Sequence, residues 1–488
     1  MKNKTSLVFL YYFAFVNFLF GIKLWLIEKF GNATPFMDQW DAEALLLYKS
    51  FIDGTLKLEF LFSPHNEHRI FTTRLLALSE LILNGIWNPL LQMVVNAGLH
   101  IAVLVILIAL ITRVVGRIYL PALLAFSTLV FIVPYAYENT LTGFQAQFYF
   151  VLLFSIISLW LTTLHEPFSL SWNCGLICSL LAFLSFSSGA FSIAASTAVG
   201  FIFYFLKLRK NNKQLFAIII MGTLFVACVA LTPLNENQSG KSSSIMQFIK
   251  TLFEILFWPS PNELLGALQN APALIFFVLM LRRKPAAKDP KWFLVSLITW
   301  MFVVSSGIAY ARAMIPLSSR YLDLFIISIL INFFCLLSIF EEHKNKWKKL
   351  SFFCLFIWIL SVGVSLQIYN ACFTQKGLRS YSAAKIEQEK NTKNYVETGN
   401  INTLENKTIP YPDPKRLAFI LDLPEVRSIL PSDIAPPDRP IKEGRFDKVV
   451  RFLIANYYVF IAMGLLSAAV CGLLNFFTAA KKSEKIPA

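Results

Sequence analysis

The chain has 488 residues, 56% of them hydrophobic and only 15% charged, with 47 Phe. Apolar runs of roughly 17 to 23 residues recur along it, the length that crosses a bilayer as helix, and this excludes a single soluble globular domain. The net charge of +15 does not indicate a nucleic-acid partner, because Lys and Arg are spread over separate span ends, where they report topology and attraction to anionic membrane lipid.

The expected fold is therefore an all-α polytopic membrane protein with about twelve transmembrane helices. The candidate spans are 6–27, 90–111, 118–133, 146–164, 172–186, 191–205, 215–231, 265–281, 293–309, 322–340, 350–366 and 452–476. The first has a Lys-bearing start like a secretory signal. Its apolar core is longer, however, and no small-x-small cleavage site follows, so it is expected to remain as the first helix.

Directly after this span comes the polar stretch Met37-Asp38-Gln39-Trp40-Asp41-Ala42-Glu43, completed by Ser63-Pro64-His65-Asn66-Glu67-His68-Arg69. Between them, Ala44, Leu45, Tyr48, Phe51 and Ile52 recur at helical spacing while Glu43, Lys49 and Asp53 take the other side, which predicts a helix lying on the membrane surface. Ser63 and Pro64 form a cap and first-turn pair that predicts a second helix through His65, His68, Arg69 and Arg74 toward Asn84. In helices, Asp38 and Asp41 would share one face, as would His65 and His68. Trp40, Trp87 and Trp258 are expected as interface anchors, and 245–258 as a further surface helix.

The positive-inside bias orients the bundle. Lys2, Lys4, Arg113, Arg117, Lys207, Arg209, Lys210, Arg282, Arg283, Lys284, the lysines from 344 to 349, and Lys481 and Lys482 fall at one set of span ends. Connections 135–145 and 187–190 hold no Lys or Arg. Both termini are expected in the cytoplasm of a bacterial cell, under the inner membrane, with the polar stretch on the outer face. The chain then divides into 1–368, a transmembrane domain with external loop 28–89; 369–451, a small Pro-rich extracytoplasmic segment with eight prolines between Pro410 and Pro440; and 452–488, the final helix and tail. Within the Pro-rich segment a single helix is expected over 414–430, and 382–407 is polar and reads as weakly structured. The seven cysteines fall almost all in apolar runs and show no disulfide or metal spacing.

An enzyme acting outside the cytoplasm has no nucleotide sugar at hand, and the chain has no Gly-rich phosphate-binding fingerprint. A sugar on a polyprenyl phosphate is a donor that the membrane itself carries. Its transfer needs a carboxylate to take the acceptor proton, cations to stabilise the departing phosphate, and a groove open to the bilayer. Asp38 or Asp41 supplies the first. Arg312 and Arg320, in the short connection before the span at 322, supply the second, with His65, His68 and Arg69 as helpers.

Together these features resemble the GT-C membrane glycosyltransferases: a long apolar first helix, an acidic first external loop, about a dozen spans, and Ser319-Arg320-Tyr321 before a late span. His65-Asn66-Glu67-His68-Arg69, Glu138-Asn139 with Gly143-Phe144-Gln145, and Pro424-Glu425-Val426-Arg427 resemble a bacterial subgroup of them. The resemblance implies that an acid of the first external loop is catalytic or supports a metal, which maps to Asp38 first and Asp41 second. Substrate and phosphate contacts would come from His65, Glu67, His68, Arg69, Glu138, Gln145, Arg312, Arg320 and Tyr321. Many relatives have adjacent Asp-Glu, whereas here Ala42 separates Asp41 from Glu43.

Plainer readings stand beside these. The two aspartates also suit solvated helix caps, the arginines also suit snorkelling to head groups, and Glu138, Asn139 and Gln145 also suit turn satisfaction. His65 and His68 are a weak pair for a divalent metal, with Glu67 or Asp38. The function expected is transfer of a sugar from a polyprenyl-phosphate donor to an envelope glycan, lipid or protein acceptor. The alternatives are a flippase of lipid-linked glycans, which would place charges at mid-membrane depth, and an O-antigen-type polymerase or ligase.

Overall fold

In the computed structural model, residues 2–233, 240–314, 317–406, 408–409, 411–437 and 442–483 are described. The chain is 80% helical, and ten helices are long and apolar enough to cross a membrane. Two further apolar helices, Arg117–Phe131 and Leu170–Ser185, are shorter. The protein is an all-α membrane protein by this measure.

Capping chemistry places the helix ends. Asn88 accepts a hydrogen bond from the Leu91 amide at 3.0 Å and Pro89 fills the first turn of the helix Pro89–Val115. Ser169, Asn211, Ser244 and Asn262 cap later helices in the same way. The first helix and the last, Tyr457–Ser483, cross in close contact, and glycine permits it. A Cβ at Gly21 would lie 2.7 Å from the Ile461 backbone nitrogen, and one at Gly464 2.7 Å from the Phe18 nitrogen. The helical run Leu322–Tyr369 doubles back: the rings of Phe333 and Trp358 lie 6.3 Å apart, whereas 25 residues of straight helix would separate them by roughly 37 Å. One run thus contributes two antiparallel rods.

The two ends of the bundle differ in charge. At one end Arg283 and Lys291 pair with Glu342, Tyr119 donates to Glu341, and Arg209 donates to the carbonyls of His165 and Ala287. The opposite end carries the loop 31–88, the connection before Ala146, the connection around Arg312, and the segment that follows Tyr369.

At that end a second core lies outside the spans. Trp40, Ala44, Leu47, Tyr48, Leu81 and Trp87 from the first loop pack with Tyr395, Leu417, Ile420, Leu421, Val426 and Leu430 from the late segment. Several expectations change here. Residues Trp40–Tyr48 wind as a π-helix and only Lys49–Ile52 as α-helix. The wider turn shifts the repeat away from 3.6, so Glu43 is buried at 1% exposure while Phe51 and Ile52 are exposed. Trp40 and Trp87 are fully buried and pack edge to face, with ring centroids 5.4 Å apart, and so they are core residues rather than interface anchors. Residues 382–398 are not weakly structured. They form the later turns of the helix Gln375–Thr398, because Lys385, Gln388 and Thr392 are buried against the first loop; Lys407 lies outside the described residues. The helix expected over 414–430 breaks into Pro414–Leu421 and Pro424–Ile429, since Pro424 turns the residue before it to an extended conformation.

Candidate functional site

The stretch 63–69 departs most from expectation. It is a tight antiparallel hairpin in which Pro64 pairs with Arg69 and His65 with His68, with Asn66 at φ 49° in the turn. Asn tolerates this left-handed conformation. The following helix starts only at Phe71. Arg74 explains why the hairpin wins: its guanidinium is buried and donates from Nη1 to the carbonyls of Phe60, Leu61 and Ser63 at 3.2, 3.4 and 2.5 Å. It thereby caps the short helix Leu58–Phe62 and fixes the chain entering the hairpin. Ser63 does not start a helix; it ends the one before, and its hydroxyl donates back to the Phe60 carbonyl.

The hairpin aims its side chains at three other segments. His65 Nε2 lies 3.4 Å from Asp38 Oδ2, with Asp38 32% exposed and so open to a ligand. Burial by itself would raise the Asp38 pKa, but the hydrogen bond and charge of His65 and the charge of Arg320 outweigh it and hold the carboxyl below its usual range. The His65 ring also packs edge to face on Phe144 at 5.0 Å. His68 lies against Phe186, and burial pushes its pKa down to about 3, with Glu67 opposing and Arg312 assisting. It is therefore a neutral ring at physiological pH. Glu67 pairs with Arg312, whose Nε donates to Tyr321 Oη at 3.1 Å. Arg69 turns away, donating to the carbonyls of Phe62 and Leu231 at 2.7 and 3.4 Å.

Asp41 has a different set of partners from Asp38. Arg416 donates to its Oδ1 from Nε and Nη2 at 3.0 and 2.5 Å, and Tyr411 donates to its Oδ2. Asp41 thus ties the first loop to the late segment. Arg320 is the opposite case: its buried Nε has no hydrogen-bond partner among the described residues, although its charge is felt at both Asp38 and His68. Glu138 Oε1 accepts from Ser318 Oγ, Ser319 Oγ and the Ser319 amide at 2.7, 2.7 and 3.1 Å. It satisfies the turn before Arg320, as does Asn139 beside it. Gln145 accepts from Gln147 at 3.0 Å, and Gln147 accepts from Thr73 at 3.2 Å.

Sequence reasoning missed a set of ionisable groups inside the spans. Lys23 Nζ donates to Thr140 Oγ1 at 3.1 Å, Asn139 Nδ2 donates to Asp323 Oδ2 at 2.9 Å, and His100 Nε2 lies 3.9 Å from Asp323 Oδ1. They surround a cavity of about 20 Å³, room for roughly one water. Charges within apolar spans are themselves the signal that would have found them. Arg416 and Tyr411 carried no such signal, since only folding brings them to Asp41.

A groove of about 730 Å³ opens beside the amphipathic helix Ile245–Phe257, lined by Ile249, Phe253, Trp258, Tyr369 and Phe373 with Lys250 at its edge. Trp258 and Tyr369 meet edge to face at 5.2 Å, and Tyr135 packs on Trp258 at 5.9 Å. Tyr135 begins the connection that continues into Glu138 and Asn139.

Among the described residues no group of three or more His, Cys, Asp or Glu is arranged to hold a metal ion. Comparison of the chain with family profiles, characterised proteins and solved structures gave no match.

Proposed function

We propose that the protein is a glycosyltransferase of the GT-C type, moving a sugar from a polyprenyl-phosphate donor to an envelope glycan, lipid or protein acceptor. The observation that carries this reading is the 3.4 Å approach of His65 to Asp38 at one end of the bundle, with the charge of Arg320 acting on the same carboxyl. An accessible carboxylate and a guanidinium whose Nε has no hydrogen-bond partner among the described residues supply the two charges that such a transfer requires. In the reaction the acceptor oxygen attacks the anomeric carbon, its proton passes to the carboxylate of Asp38 with His65 alongside, and the bond from that carbon to the phosphate oxygen breaks. The electron pair leaves with the phosphate, whose charge Arg320 meets. Attack opposite the leaving phosphate inverts the anomeric centre.

Asp38 takes the role of base because Asp41 is already engaged by Arg416 and Tyr411. Arg312, neutralised by Glu67, lines the site and holds the hairpin. The groove beside Trp258 and Tyr369 accommodates the prenyl chain. About twelve spans follow if the two shorter apolar helices also cross. The basic end faces the cytoplasm of a bacterial inner membrane with both termini, and the site faces outward. A flippase is less favoured, because the charged residues Lys23 and Asp323 lie in the turns next to the site and are bonded to Thr140 and Asn139.

Purified protein in proteoliposomes, given a polyprenyl-phosphate sugar and envelope acceptors, should transfer sugar. Asp38→Asn and Arg320→Gln should each reduce transfer by about 100-fold or more. Full activity in both variants would overturn the reading, as would an envelope glycan composition unchanged in cells lacking the protein.

A further inference from the structure

The turn that carries Arg320 is gripped from both sides by two adjacent residues of another segment. Glu138 and Asn139 lie on the short helix Tyr137–Leu141, and their side chains diverge along the turn. On the N-terminal side, Glu138 Oε1 accepts three hydrogen bonds from Ser318 and Ser319. On the C-terminal side, Asn139 Nδ2 donates to the Arg320 carbonyl and to Asp323 Oδ2, each at 2.9 Å. Asn139 is fully buried, and Asp323 is 4% exposed.

Burying Asp323 inside a span is costly unless neighbouring charges and hydrogen bonds offset the lost hydration. Lys23 provides a counter-charge from the first helix, His100 lies at 3.9 Å, and the Asn139 amide is its one close donor among the described residues. The bridging amide orients the carboxylate and, through the same nitrogen, the main chain of Arg320. The Arg320 side chain makes no hydrogen bond from Nε among the described residues, and its guanidinium lies 6.0 Å from the centre of the Tyr321 ring.

We propose that Glu138 and Asn139, anchored on Asp323, are positioning residues that clamp the Ser319–Tyr321 turn and so hold the Arg320 guanidinium ready for the phosphate of a prenyl phosphate. This rests on the phosphate-binding role given to Arg320 above. Because the clamp acts on the main chain, it lowers the ordering cost that phosphate binding would otherwise carry. Asn139→Ala removes both bridging bonds and leaves Lys23 bonded to Thr140, with its charge still acting on Asp323. Glu138→Gln weakens the other side with little change in shape.

Full-length protein in nanodiscs permits two independent measurements. Hydrogen exchange of a peptide covering 317–323 reads the clamp without any ligand, and it should be faster in Asn139→Ala and in Glu138→Gln than in the wild type. Binding of geranylgeranyl phosphate, with geranylgeraniol as the uncharged control, reads its consequence. Asn139→Ala should weaken phosphate binding by about tenfold. Asn139→Ala combined with Arg320→Gln should bind no more weakly than Arg320→Gln alone. Unchanged exchange in both variants would overturn the clamp. Faster exchange with unaltered phosphate affinity, where Arg320→Gln does weaken it, would overturn the positioning role. If the wild type binds the phosphate no better than the alcohol, the donor assignment fails, and the exchange result alone decides the clamp.

Discussion

Replacing Glu80 with Gln should make the outer layer of the protein less sensitive to a rise in pH from 5 to 7. Glu43 accepts from Gln39 and Gln92 at 3.1 Å each inside a core closed by Trp40, Tyr48 and Trp87. Glu80 shares that interior, and its Oε1 has no hydrogen-bond partner among the described residues. Burial raises Glu43 to about 7, and burial together with the Glu43 charge raises Glu80 to about 8, from 4.5 in each case. A carboxyl whose folded pKa is raised binds its proton more tightly in the folded state. Its stabilising contribution is complete below pH 4.5 and is lost as pH climbs toward the folded value. At about 1.4 kcal/mol per pH unit, Glu80 alone removes roughly 3 kcal/mol between pH 5 and 7, and Glu43 a similar or smaller amount. Gln at position 80 has no proton to lose, so about half of this pH slope should disappear. The assay is hydrogen exchange of peptides spanning 40–52 and 78–88, at pH 5 and pH 7 after correction for intrinsic rates, in wild type and Glu80→Gln. A wild-type outer layer equally protected at both pH values would refute the reasoning, as would a Glu80→Gln slope equal to the wild type's.

Two further outcomes are expected. Arg74→Met should cost about 3 kcal/mol or more, because three backbone carbonyls lose their buried donor. The loss should show as selective proteolysis within 58–70, with the membrane bundle intact. Gly21→Val should separate the first and last helices, since its Cβ has only 2.7 Å to the Ile461 nitrogen. Overpacking of this kind costs about 1–3 kcal/mol, which a lowered thermal unfolding temperature in detergent would report.

The membrane class of this protein was legible from residues alone, because a bilayer demands long apolar helices and little else satisfies that demand. Ten of the twelve expected span regions were legible for the same reason, while those at 118–133 and 172–186 form shorter apolar helices, and the basic residues already marked one end of the bundle. The polar stretch after the first helix likewise announced a concentration of chemistry in Asp38 and His65, and Arg320 stood out before a late span. Their placement at one end of the bundle was expected; which side chain pairs with which was not legible. Local signals favoured a helix from Ser63, and a buried Arg74 drawing three carbonyls together produced a hairpin instead, which brought His65 to Asp38. Helical spacing placed Glu43 outward, and a π-helix turned it in. Asp38 and Asp41, three residues apart and both candidates in the sequence, are given different partners by the fold: His65 for Asp38, and for Asp41 Arg416 and Tyr411 from a segment more than 360 residues later. Local periodicity sets which segments are helical and which polar. The partner of each charge depends on contacts between segments far apart in sequence, and those exist only once the chain has folded.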